Sequence, residues 1–256
     1  MKDCFVITSC IGTKKNSPFK GTETRSYFSD QERLDQTIFQ LRIVSQRNPN
    51  SKIFLVDASE QEFADIYSWN IPNLSYIRLQ TLNPSVCETI RSYRSKSHCE
   101  CLILLEFIRH FKEELKDYDF VTKLSGRYLY RHGEHDKFFI PENKNKLFFK
   151  EELVFGGIDL ETFKEPTHPT EMLIDGKLYA FTTILFGFGI EKLDVLEILI
   201  NACTSASLEG SKFFNVDIEY VLNHFIKKLG LMNDVVTTTH WMIDGLCGVT
   251  GTHYVY

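Results

Sequence analysis

No run of apolar residues in this 256-residue chain approaches the ~18 that a membrane span requires. The longest, Ala180 to Ile190, is interrupted by Thr and Gly. No two of the seven cysteines form a CxxC pair, so structural zinc has no paired ligands to start from. A Walker A loop and a GxSxG elbow are both missing, which removes the motif-based case for a P-loop NTPase or a serine hydrolase. Internal repeats, low-complexity tracts and domain-separating linkers are absent as well. Nor is there an excess of positive charge: 29 Lys plus Arg stand against 34 Asp plus Glu, a net charge of −5. With no basic and aromatic stripe either, nucleic acid is not an expected partner.

What remains is an ordinary folding composition, 43% hydrophobic and 25% charged. A domain of this length buries roughly 70–75% of its unfolded surface without a staple. Unpaired thiols suit a reducing, cytoplasmic setting. MKDCFVITSCIG reads as a first strand rather than a signal peptide, because Asp3 breaks the cationic region and the apolar stretch is short. Aromatic residues reach 13%, enough for a ring-rich core or for a site that stacks bases or sugars.

Strand and helix patterns alternate through the first half. Strands are expected at Cys4–Ser9, Ser51–Val56, Leu74–Leu79 and Asp119–Lys123. Leu34, Ile38, Leu41 and Val44, spaced four, three and three, mark one face of a helix over Asp30–Arg47. A short helix is expected over Glu60–Tyr67. Ser97 and Glu100 have the spacing of a capping box ahead of a helix over His98–Lys116. The second half is less regular, with a strand pattern near Leu178–Phe188, helices over Glu191–Cys203 and Val216–Leu229, and a strand near Val235–Trp241. This order predicts an α/β fold with a mostly parallel sheet and helices on both faces. One domain is expected, with residues 1–131 forming a nucleotide-binding half and 132–256 an acceptor and catalytic half.

Charge is segregated. Arg91–Arg131 carries nine Lys plus Arg against six Asp plus Glu, whereas Leu193–Tyr256 carries three against seven. Ligands of open α/β sheets bind beyond the carboxyl ends of the strands. Those ends present Thr8 and Ser9, then Asp57 and Ser59, then Lys123, Ser125 and Arg127.

This set of strand ends resembles glycosyltransferases of the GT-A fold, and the KLSGRY string (Lys123–Tyr128) is similar to one in bacterial enzymes that build lipopolysaccharide or capsule glycans. The resemblance implies transfer of a sugar from a nucleotide-sugar donor to a hydroxyl of a surface glycan or glycolipid. It implies that Thr8, Asp57, Lys96, Lys123, Ser125 and Arg127 bind the donor, and that Asp217 or Glu219, opening a helix, serves as general base. Those two carboxylates are two apart on a helix and face different ways, so only one can serve. Where such enzymes carry an Asp-x-Asp metal motif, this chain has Lys-Leu-Ser-Gly-Arg-Tyr. Mn²⁺ or Mg²⁺ therefore lacks its usual carboxylates, and cations can neutralise the phosphates instead. If a metal does bind, the resemblance points to His240 and His253. Peripheral contact with the inner membrane remains open, and a nucleotidyltransferase or a non-catalytic nucleotide- or glycan-binding module are the alternatives.

Overall fold

The structure is a computed structural model and describes residues 1–13, 16–19, 22–63, 68–132, 138–155, 172–175, 177–214, 216–238, 242–246 and 253–255. Its centre is a run of strands rich in β-branched and aromatic residues, buried on both faces except along the half-buried edge strand, as parallel strands under two helical layers must be. They are β1 (Asp3–Ser9), β2 (Lys52–Asp57), β3 (Leu74–Arg78) and β4 (Phe120–Ser125). The chain continues through β5 (Leu129–His132), β6 (Leu147–Phe149), β7 (Glu152–Phe155), β8 (Leu178–Phe181) and β9 (Leu185–Gly189). Last come β10 (Val235–Thr237), β11 (Met242–Leu246) and β12 (His253–Val255).

Seven strands form one sheet in the order β10-β6-β9-β4-β1-β2-β3. All neighbours are parallel except at β9, which runs antiparallel to both β4 and β6. The expected mostly parallel α/β sheet is thus present, with one reversed strand that the long apolar pattern of 178–188 hid. That pattern is two strands, β8 and β9, joined by Thr182–Ile184. Small sheets β12-β11-β5 and β7-β8 flank the main one.

Helix α1 (Asp30–Arg47) covers one face, against Phe5, Ile7, Ile53, Leu55, Phe120 and Leu124. A capping box starts it: the Ser29 hydroxyl accepts from Glu32 N–H at 3.2 Å, and the Glu32 carboxylate accepts from Ser29 N–H at 2.8 Å. On the other face lie α2 (Leu79–Leu82), α3 (Pro84–Ser92), α4 (Lys96–Leu115), α5 (Leu193–Ala206) and α6 (Ile218–Lys228). Their apolar stripes pack on Val6, Phe54, Val121, Phe186 and Phe188. The expected helix over Glu60–Tyr67 does not form at 60–63, and 64–67 lie outside the described residues.

The expected cap of α4 is also corrected. Ser95, not Ser97, accepts from His98 N–H at 3.2 Å, while the Ser97 hydroxyl turns inward and donates to Val216 O at 3.0 Å. The helix therefore begins two residues early and takes Lys96 into its first turn. No helix among the described residues is long and apolar enough to cross a membrane. Cys99 and Cys101 are buried free thiols of the α4 core.

Candidate functional site

From β1 the chain steps to β2 and β3 on one side, then returns to β4 on the other side of β1. The carboxyl ends of β1 and β4 therefore flank the switch point, where open sheets leave a crevice. A pocket of about 110 Å³ sits there, its walls including Thr8 and Ser9 from β1 and Ser125, Gly126 and Arg127 from β4. Gly126 makes this closeness feasible: its N–H donates to Thr8 O at 2.8 Å. A Cβ there would stand 2.9 Å from the Ser9 Cβ and 3.0 Å from Thr8 O. Gln40 of α1 fixes the same turn from below, donating to Ser125 O at 3.1 Å and Tyr128 O at 2.6 Å.

Among the described residues the pocket wall carries four cationic side chains, Arg25, Arg33, Lys96 and Arg127, against one carboxylate, Glu100. Arg25 and Arg33 are both buried. Arg25 donates to backbone carbonyls and to sulfur, at 2.6 Å to Tyr93 O, 3.1 Å to Ser17 O and 3.3 Å to Cys99 Sγ, with Ile90 O a further acceptor. Arg33 donates from Nε to Cys10 O at 3.0 Å and Ile11 O at 3.1 Å, and from Nη1 to Ser26 Oγ at 3.0 Å. Carbonyls orient a guanidinium without cancelling its charge. Burial first, and then the charge of Arg127 beside it, work against the Arg33 cation and lower its pKa. An anion placed between the two would relieve both.

Lys96 adds to this field from an awkward place. The dipole of α4 disfavours a cation in its first turn by about 0.3–1 kcal/mol. Its side chain is exposed to the pocket opening yet stands among charges. Desolvation in the cleft opposes its charge, but Glu219, Glu100 and Asp217 outweigh that and raise its pKa.

Asp57 lies behind the wall and is fully enclosed. Its carboxylate accepts from Ile11 N–H at 3.0 Å, Ser59 Oγ at 2.8 Å and the Tyr76 hydroxyl at 3.1 Å. Burial still pushes its pKa above the ordinary aspartate value against these three bonds. The geometry gives Asp57 the task of holding the loop after β1. Asp57→Ala is expected to destabilise the fold by about 1–3 kcal/mol for each buried donor it orphans. Urea unfolding measures this, and a loss below that range would mean that water or a neighbour replaces the carboxylate.

Lys123 likewise faces inward. Only 1% of its side chain is exposed, and its ammonium donates to Glu100 Oε1 at 2.5 Å, Thr183 O at 2.8 Å and Ser125 Oγ at 3.0 Å. Those three bonds use all three of its donors. Ser125 lines the pocket and also donates to Glu100 Oε1 at 3.3 Å. Burial alone would raise Glu100, but Lys123 and then Lys96 hold its pKa below the ordinary glutamate value.

The two carboxylates that open α6 part company. Asp217 occupies the N-cap position, is exposed, and makes no side-chain cap. Glu219 is half-buried and accepts from the Thr183 hydroxyl at 2.7 Å. Burial is the main cause of its raised pKa; Lys96 opposes the rise, Glu100 and Asp217 add to it, and the Thr183 bond opposes it. A carboxylate whose pKa burial has raised, beside a cationic pocket, can accept a proton from a hydroxyl.

A divalent cation at the end of β4 would need carboxylate oxygens. The side chains there are Lys123, Ser125 and Arg127, which do not fit it. The exposed His253 pairs with Asp244 of the β12-β11-β5 sheet, and His240 lies outside the described residues.

Arg25, Arg33, Glu100 and Thr183 are the site residues that the sequence reading missed as such. A signal existed for one of them: Arg33, Thr37 and Gln40 repeat at four and three on the inward side of α1, where a polar stripe has no packing reason.

Fold and site together define an α/β protein with a cationic pocket at its switch point and a raised-pKa carboxylate nearby. No family model and no curated protein matches the chain. Among solved structures it is similar to the galactosyltransferase LgtC in complex with donor and acceptor sugar analogues, at 15% identity and a TM-score of 0.45. That likeness covers 91% of this chain and 72% of the other.

Proposed function

We propose that this protein is a glycosyltransferase that moves a sugar from a nucleotide-sugar donor to a hydroxyl of a bacterial surface polysaccharide or lipooligosaccharide. The observation that carries the reading is the pocket between β1 and β4, with four cations turned on it and carbonyls orienting two of them. The donor phosphates sit there against Arg25, Arg33, Lys96 and Arg127, with Thr8 and Ser125 as hydrogen-bond partners. The acceptor hydroxyl gives its proton to Glu219 as its oxygen bonds to the anomeric carbon. The nucleotide departs with the electrons of the broken bond, and the cations stabilise its growing charge. Lys123 and Asp57 support this wall from behind. The setting we propose is cytoplasmic, with peripheral contact at the inner membrane where the acceptor is a glycolipid.

Thermal unfolding with UDP-, GDP-, dTDP- and CMP-linked sugars, each with Mn²⁺ or with EDTA, tests the reading. One nucleotide is expected to raise Tm in EDTA, by the equivalent of about 2.7 kcal/mol at a hundredfold excess over Kd. Arg127→Ala is expected to remove the rise. No shift with any nucleotide in folded protein would overturn the reading, and a shift abolished by EDTA would overturn its metal-free form.

A further inference from the structure

Thr183 lies in the β8–β9 connection, far in sequence from both Lys123 and Glu219, yet it touches each through a different group. Its carbonyl accepts from the Lys123 ammonium at 2.8 Å, and its hydroxyl donates to Glu219 Oε1 at 2.7 Å. The same ammonium reaches Ser125 and Glu100, which line the phosphate-sized pocket. An unbroken chain of side-chain and backbone bonds therefore runs from the pocket wall to the carboxylate on α6.

We infer that Lys123 is a positioning residue that clamps the β8–β9 connection and thereby holds the Thr183 hydroxyl on Glu219, tying the geometry of the base to the pocket wall. The inference rests on the proposed role of Glu219. It departs from the expectation that Lys123 itself binds phosphate, because a lysine with three satisfied donors and 1% exposure has nothing left to offer a ligand.

The leading charges on Glu219 are Lys96 and Glu100 from α4 and Asp217 at the N-cap of its own helix. Lys123 reaches Glu219 through Thr183, whose carbonyl takes the ammonium and whose hydroxyl is held on the carboxylate.

The test is a pH titration of the Glu219 side-chain carboxyl by ¹³C NMR on the unliganded full chain, assigned with Glu219→Gln. Thr183→Val is expected to move the midpoint upward by about one pH unit, because a hydrogen bond to the charged form is lost. Thr183→Ser is expected to restore it. Lys123→Met, combined with Glu100→Gln so that no unpaired charge is buried, raises the midpoint above that of Glu100→Gln alone. It adds nothing once Thr183 is Val. An unmoved midpoint in Thr183→Val, or an additive effect of Lys123→Met in the Val background, overturns the inference. The readout needs no substrate, so its failure is separate from a failure of the nucleotide panel, which would sink the transferase reading instead.

Discussion

Replacing Glu219 by Gln is expected to slow sugar transfer by about 10²–10⁴-fold, the usual worth of a positioned proton acceptor, while nucleotide binding is retained. Gln keeps the shape and can still accept from Thr183, so the pocket wall should stand. Asp217→Asn is expected to stay close to wild type, because that side chain is exposed and makes no cap bond. The opposite pair of results would assign the base to Asp217. The pH profile carries the same assignment. A base works deprotonated, so kcat/KM falls as pH falls through the Glu219 pKa, and burial sets that value above the ordinary 4.5. Lys96→Met removes the leading influence that lowers it, so the acid limb is expected to move to higher pH. Stability should run the other way. Between the ordinary and the raised value the native state holds the proton more tightly than the unfolded chain, so stability declines as pH rises across that window. Glu219→Gln removes this cost, and its Tm near neutral pH is expected to equal or exceed that of wild type. Lost activity with retained or gained stability marks a residue kept for chemistry.

The sheet was legible because its strands are continuous apolar runs ending in polar residues, and α1 because an apolar spacing and a stop at Asn48-Pro49-Asn50 agree. The reversed strand was not legible, since a buried strand reads the same in either direction. Pocket residues were legible where a strand end announced them, as at Thr8, Ser125 and Arg127. Lys123 shows the limit: sequence gives the charge, but only the fold shows that the ammonium points into a carboxylate, a carbonyl and a hydroxyl. Arg25 shows the other limit. It comes from a loop with no periodicity, and its place is set by carbonyls more than sixty residues away, Ile90 and Tyr93. Long-range partners of this kind leave no local trace.

Lys123→Met alone is expected to cost about 3–5 kcal/mol of folding stability, because it strands Glu100 without its cation in a half-buried site. The reason is asymmetry. A buried pair contributes little beyond what a well-packed apolar pair would, since attraction and desolvation nearly cancel, yet a lone buried charge has only the desolvation left. The double variant Lys123→Met with Glu100→Gln should therefore recover most of the loss, as measured by urea midpoints at matched slope. The pH dependence separates this from simple loss of packing. In wild type Glu100 sits below the ordinary 4.5, so the stability it supplies is full at neutral pH and is lost as pH falls through its folded value. Without Lys123, burial dominates and the carboxyl moves upward, so the single variant should gain stability as pH falls toward the carboxylate range while wild type loses it. Curves that stay parallel would mean Glu100 finds another partner, with Lys96, whose charge already lowers its pKa, the candidate, and that Lys123 holds the wall by packing rather than by charge.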